Sequence, residues 1–306
     1  MFWLLRCFVP IAALSISLLA VRADSVALSP SGDTSLWQEN DTNNLGGELS
    51  LPVGGNGSGY ISRGLLRFDL GSIPTNALVT NVTLRLFVTN APAKTNPVNS
   101  TFVLHRVLRD WGEGNKKNGD VGKNGAPATA GEATWDARFY PNTLWTVPGA
   151  SAPQDYDAKL SATNFITVLG PYTFAGTSLI GDVQMWVSNP ATNFGWMLRS
   201  LAETNAFSTR RFASREDGLN PPLLTVMFTL SAIPPPKLFP GAWTPSNFTF
   251  SFSAVPGQTY GVEYSDALGT AWHPLTNILA PPSVTNIPVI DNAARQPQRF
   301  YRVKIQ

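Results

Sequence analysis

The residue types that could perform covalent or acid–base chemistry are few in this chain. Only two histidines occur, His105 and His273. His105 falls between Val103 and Val107 in an apolar strand pattern, where a hydrogen-bonded core histidine is the simplest reading. His273 sits between Trp272 and Pro274 with no nucleophile motif beside it. Gly57-Ser-Gly59 lies in a glycine-rich turn and lacks the Gly-x-Ser-x-Gly spacing that exposes a serine nucleophile. The one cysteine, Cys7, belongs to an N-terminal apolar run. Paired carboxylates could drive glycoside hydrolysis, and Glu113, Glu132, Asp136, Glu216 and Asp217 are the candidates. Linear spacing joins no two of them into an acid/base pair, and Arg215 directly before Glu216 reads more simply as a structural ion pair.

Binding chemistry has more support. Asp33, Glu39, Asn40, Asp41, Asn43 and Asn44 cluster in one N-terminal region. Hard oxygen donors of this kind suit Ca²⁺, with Asp33, Glu39 and Asp41 as the carboxylate ligands. The plainer alternative is a polar turn whose Asn and Asp side chains bond their own backbone. Glycan recognition needs flat aromatic faces together with directional polar groups. Trp135 and Trp145 recur in a long segment poor in strand signals. Arg199, Arg210 and Arg211 supply guanidinium groups that would pair with the carboxylates of an acidic polysaccharide. Arg67, Asp69 and Glu216 fit ion pairs on a sheet face instead.

The elements that must position these residues are strands. Leu66, Phe68 and Leu70 share one face of a strand, with Leu65, Arg67 and Asp69 on the other. Val82, Leu84, Leu86 and Val88 alternate with polar neighbours, as do Leu224, Val226, Phe228 and Leu230. Residues 102–108 form a more fully buried run, and Trp196 and Leu198 alternate with Met197 and Arg199. Many short strands between Gly, Asn and Pro turns predict an all-β, jelly-roll-like antiparallel β-sandwich. One segment breaks the pattern. Leu179, Val183, Trp186 and Val187 share a helical face, with Thr177 or Ser178 as the cap and Asn189-Pro190 as the stop. Residues 111–165 are long, rich in Gly, Asn and Pro, and hold three tryptophans. Within them, residues 115–130 are low in apolar content, which predicts mobility. Residues 232–246 read as a proline-rich linker. A second strand pattern follows over 247–306.

Residues 8–19 are apolar, and Val21-Arg22-Ala23 offers a cleavage site, so 1–23 reads as a secretory signal peptide. The run is too short for a membrane span. Its removal takes away Cys7 and two arginines, leaving no disulfide and a net charge near zero from the +2 of the whole chain. Neutrality gives no bulk attraction for nucleic acid or an anionic membrane. An exported, cysteine-free chain of this kind fits a bacterial protein. Eight of the nine tryptophans lie beyond the leader, and most of them are expected to fill a sandwich core.

The pieces Leu28-Ser-Pro-Ser-Gly-Asp-Thr34, Asn44-Leu-Gly46, Arg63-Gly-Leu-Leu-Arg-Phe-Asp-Leu-Gly-Ser-Ile-Pro74, Trp111-Gly-Glu-Gly114, Ala133-Thr-Trp-Asp136, Asn193-Phe-Gly-Trp-Met-Leu198 and Phe212-Ala-Ser-Arg-Glu216 occur in that order. Together they resemble the secreted DNRLRE-type domain, related to carbohydrate-binding module family 96, over residues 24–231. The resemblance implies a jelly-roll-like sandwich that is exported and attached to polysaccharide-active systems. It names no ligand. Val255-Pro-Gly-Gln-Thr-Tyr260 and Arg299-Phe-Tyr-Arg-Val303 resemble a small fibronectin/Ig-like β-sandwich. The resulting expectation is a secreted, non-catalytic polysaccharide-binding protein of the extracellular space or cell surface. Its rivals are a structural or adhesive surface protein, and a polysaccharide lyase or hydrolase using carboxylates, Tyr140 or Tyr156.

Overall fold

The computed structural model describes residues 22–92, 97–118, 124–230, 234–244, 246–267, 270–283, 285–292 and 299–306. The chain divides into two compact units, Val21–Ser231 and Ala232–Gln306. Most of the expected leader lies outside the described residues. Arg22 and Ala23 open the first strand, two residues before the expected cleavage point.

The first unit runs β1 (Arg22–Leu28), β2 (Pro30–Trp37), β3 (Asn43–Asn44), β4 (Ser50–Gly55), β5 (Ile61–Phe68), β6 (Leu78–Asn90) and β7 (Ser100–Val107). It continues with β8 (Ala126–Pro127), β9 (Ala137–Phe139), β10 (Thr143–Leu144), β11 (Tyr156–Ile166), β12 (Gly170–Ala175), α1 (Thr177–Ser188), β13 (Trp196–Ser200), β14 (Arg210–Ala213) and β15 (Leu223–Leu230). Eleven strands form one curled antiparallel sheet in the order β1-β15-β6-β14-β4-β5-β13-β7-β11, with β12 added to β6 and β2 to β5. β4 is the corner. It pairs with β14 through Ser50 to Val53, and its last residues, Gly54 and Gly55, turn to pair with β5. The two halves of the sheet thus face each other as a sandwich. Phe102 of one half meets Phe212 of the other at 5.4 Å, edge to face.

The alternation read from the sequence explains which faces close. Leu66, Phe68, Leu84, Leu86, Val88, Leu198 and Val226 all point into the main core. Leu65, Met197 and Leu36 occupy the opposite face of their strands, where a second core forms with Trp111, Trp135 and Trp145. The long segment after β7 therefore carries its own aromatic core, packed on the outside of the sheet. This is why it holds together with so few strand bonds. Of its predicted mobile part, residues 119–123 lie outside the described residues, and Ala126–Pro127 pairs as β8 with β3.

α1 forms where the periodicity places it and buries Leu179, Val183, Trp186 and Val187. Trp186 packs edge to face on Trp196 at 4.6 Å. The expected Thr177 or Ser178 cap is replaced by Gly176, whose φ of 150° supplies the entry turn without a side-chain bond. Asn189 ends the helix by donating its backbone N–H to Met185 O.

The second unit contains β16 (Leu238–Trp243), β17 (Phe248–Ser253), β18 (Thr259–Ser265), β19 (His273–Leu279), β20 (Asn286–Asp291) and β21 (Phe300–Ile305). Two three-stranded antiparallel sheets, β16-β17-β20 and β19-β18-β21, enclose Phe250, Phe252, Tyr260, Val262, Ile287 and Val289. Here the sequence reading needs correction. Part of the stretch assigned to a linker is β16, paired with β17. Its proline does not prevent this, because β16 is an edge strand and Pro240 sits at the register shift between Phe239 and Ala242, where no ladder bond is demanded of it.

Candidate functional site

The residues singled out by the sequence do not meet at one place. Trp135 and Trp145 are only 6% and 4% exposed and belong to the outer core. Trp145 donates its Nε1–H to Thr134 O at 3.0 Å, and the Arg63 guanidinium covers Trp135 at 5.5 Å. Neither indole offers a face to a sugar. A loop that carries few strand bonds needs large side chains to hold it, and these two supply that burial.

Arg199 is also committed. It donates to the Tyr156 hydroxyl at 2.7 Å and pairs with Glu203, which accepts from Arg63 as well, at 2.8 Å. Burial pushes the Glu203 carboxyl up, but the two guanidinium groups outweigh it and hold it below the usual carboxylate range. Arg210 is 0% exposed. It donates to Thr209 O at 3.0 Å and to Asn99 Oδ1 at 2.8 Å, so it fastens the segment before β7 rather than facing a ligand.

Arg211, its neighbour on the other face of β14, does line a cleft. The cleft has a volume of about 370 Å³ and is walled by Trp37, Asn56, Gly57, Asn90, Ala91, Pro92, Phe207, Thr209 and Arg211. It is assembled from the ends of β2, β4 and β6, the start of β14 and the loop before it. Each wall has a local cause. Asn56 Oδ1 accepts the backbone N–H groups of Ser58 and Tyr60 at 2.9 and 3.0 Å, which makes the tight turn after β4. The same Asn56 donates its amide to Glu39 Oε2 at 2.8 Å. Phe207 adopts φ 65°, unusual for a bulky residue, and is held there by bonds from its N–H to Asn56 O and from the Val98 N–H to its carbonyl. Its ring packs so closely on Gly57 that a Cβ there would come within 2.8 Å of it. Tyr60, at the end of the same turn, is 44% exposed.

The chemistry of the cleft is mixed. Phe207 gives it a partly exposed aromatic wall, while Trp37, only 4% exposed, lines it with a buried ring. Burial pulls the Arg211 guanidinium below its ordinary value, with Glu48 acting in the opposite sense, and it stays a cation. Trp37 Nε1 and Thr209 Oγ1 are buried polar atoms that find no hydrogen-bond partner in the structure. Sequence reasoning missed Trp37 and Phe207 because they lie about 170 positions apart, and a strained aromatic leaves no periodic signal.

The three residues of the metal-ligand expectation have different surroundings. Glu39 braces Asn56, and Asp41 is exposed. Asn44 makes one bond of the polar-turn kind, from the Gly46 N–H, but otherwise ties distant backbone together: it donates to Glu113 O and Ala133 O and accepts from the Lys116 N–H. Asp33 is buried elsewhere, on β2, beside Glu113 and Glu216. Glu216 does bond Arg215, at 3.1 Å, while Arg67 pairs with Asp110 at 2.7 Å rather than with Asp69. His105 is the core histidine expected, with Nδ1 2.8 Å from Asp157 O. No helix among the described residues is long and apolar enough to cross a membrane.

No curated protein matches the chain. Residues 24–135, which run from β1 to Trp135 and supply six of the nine cleft residues, match the model of carbohydrate-binding module family 96, and over that stretch the chain resembles a module of this family.

Proposed function

We propose that this is a secreted, non-catalytic protein that binds polysaccharide in the cleft between Trp37, Phe207 and Arg211. The observation that carries this reading is the cleft itself: the Phe207 ring and the half-buried Arg211 guanidinium line it together, and six of its nine lining residues fall within the stretch that resembles a carbohydrate-binding module. Sugar rings present C–H faces for the Phe207 ring and hydroxyl or carboxylate oxygens for the guanidinium. A cation held partly out of water gains more from an anionic partner than one fully solvated, so an acidic polysaccharide is the favoured class. The apolar segment at residues 8–19 supports secretion.

The test is retention on a panel of neutral and acidic polysaccharides by affinity electrophoresis. Acidic chains should retard the protein. Arg211→Ala should weaken binding about tenfold or more, the scale of one charge-assisted hydrogen bond. Arg211→Lys should recover only part of it, since the planar fork is lost. Retention by no polysaccharide, or unchanged retention of a folded Arg211→Ala protein, overturns the proposal.

A further inference from the structure

Three motifs far apart in the sequence bring carboxylates to a single point. Gly32-Asp33 comes from β2, Glu113 from the Trp111-Gly-Glu turn after β7, and Glu216 from the segment just after β14. One oxygen of each lies within 4.8 Å of the others. The arrangement is tightly built. The Asp33 backbone N–H donates to Glu113 Oε1 at 2.8 Å, and the Arg215 backbone N–H donates to Asp33 Oδ2 at 2.7 Å. The Arg215 guanidinium reaches Glu113 Oε1 at 2.9 Å and Glu216 Oε1 at 3.1 Å.

These bonds leave atoms over. Asp33 is 0% exposed, yet its Oδ1 is buried with no hydrogen-bond partner, and so is Glu216 Oε2. A buried carboxylate oxygen without a donor is costly. Three ionised carboxylates around one guanidinium also leave two negative charges, at a site where Asp33 is fully buried and Glu113 and Glu216 are partly buried. Burial, together with the charges of Glu216 and Glu113, drives the Asp33 carboxyl well above its ordinary value, and burial raises Glu113 too.

We propose that Asp33, Glu113 and Glu216 form a Ca²⁺ site, with Asp33 Oδ1 and Glu216 Oε2 among the ligand atoms. The charge fits, since a divalent cation offsets the two negative charges that Arg215 leaves. The donors fit, since all are hard oxygens. The size fits as well: ligands 2.3–2.6 Å from one Ca²⁺ span at most about 5 Å, whereas Mg²⁺ at 2.0–2.1 Å needs a tighter cage. The site ties β2, the turn after β7 and the end of β14 together, so the ion would stabilise the sandwich. It does not rest on the carbohydrate reading.

The experiment titrates the full chain, stripped with EDTA, with CaCl₂ alone by calorimetry, and follows thermal unfolding in parallel. One Ca²⁺ per chain and a higher melting temperature are expected. Asp33→Asn and Glu216→Gln should each weaken binding at least about tenfold, while Glu39→Gln and Asp41→Asn leave it unchanged. Absence of both heat and melting shift up to about 10 mM Ca²⁺, beyond the weakest extracellular sites, would show that Arg215 alone balances the cluster and overturn the proposal. Unchanged binding in folded Asp33→Asn and Glu216→Gln proteins, loss through Glu39→Gln or Asp41→Asn instead, or tighter binding of Mg²⁺ would do the same.

Discussion

At the scale of single residues, burial decides which polar groups serve the fold and which are left for a ligand. His105 illustrates the first case. Its ring is buried against Tyr156 at 4.9 Å, with Nδ1 2.8 Å from Asp157 O. Burial holds its pKa below the ordinary 6.5; the bonds to Asp157 and Lys159 oppose this, and the nearby Arg199 and Arg63 cations reinforce it. The sign follows directly. The unfolded chain takes up a proton near pH 6.5 that the folded state resists, so this stabilisation is complete above that pH and is lost as pH falls toward the folded value. Between pH 7.5 and pH 5 the urea stability of the native protein should fall by more than that of His105→Gln, and taking the difference between the two cancels the carboxylates that titrate in both. Equal pH dependence of the two proteins would remove His105 from this role. The core assignment of His105 was legible because strand alternation carries it. Glu113 and Glu216 were legible only as isolated carboxylates. Their convergence on Asp33 depends on how three strand ends come together, and separations of 80 and 183 positions hide that. Trp135 and Trp145 misled for a related reason: aromatic content in a strand-poor loop marks either a binding face or a private core, and composition alone does not separate the two.

At the scale of elements, the period-two pattern located β5, β6, β7, β13 and β15, and the 3.6-residue period located α1 with its buried face, whereas β2, β4, β11, β12 and β14 were not marked by it. What also remained hidden was the second core outside the sheet, because it is made by close approach rather than by repetition. Gly112 shows how close. A Cβ on it would lie 1.8 Å from Gly131 O, while its own N–H donates to Arg138 O at 3.0 Å and its carbonyl accepts from the Ala133 N–H at 2.7 Å. The Trp-Gly-Glu motif thus needs glycine so that segment 111–113 and segment 131–138 can touch backbone to backbone. Gly112→Ala must separate them, and should cost about 1–3 kcal/mol, the range for forcing extra volume into a packed site. Gly218→Ala, with nothing near its Cβ position, serves as the control. Denaturant midpoints that fall equally little in both proteins would count against the steric account. The proline-rich stretch before the second unit also shows the limit of local rules. Prolines signal a linker when counted, but an edge strand with a bulge accommodates them, and only pairing with β17 distinguishes the two.

At the scale of the molecule, the hydrophobic cores divide between two compact units: the first holds the main core around Leu66, Leu84, Trp196 and Phe212 and the outer one around Trp111, Trp135 and Trp145, and the second holds a core around Phe252, Tyr260 and Val262. Neither relies on cysteine, since Cys7 is the only one in the chain. Each unit must therefore draw its stability from its own burial, and a unit with its own core unfolds as its own cooperative step. The second unit is the smaller and buries fewer apolar residues, so it has less stabilisation in hand. Phe252 is fully buried there, edge to face on Tyr260 at 5.1 Å. Phe252→Ala should cost about 3–5 kcal/mol by loss of transfer free energy and creation of a cavity. In scanning calorimetry the lower of two transitions should shift or vanish while the upper one stays in place. Ca²⁺, which the carboxylate cluster would hold within the first unit, should move the upper transition and leave the lower one alone. A single transition displaced as a whole by both Phe252→Ala and Ca²⁺ would mean that the two units unfold as one, and their description as energetically separate would have to be given up.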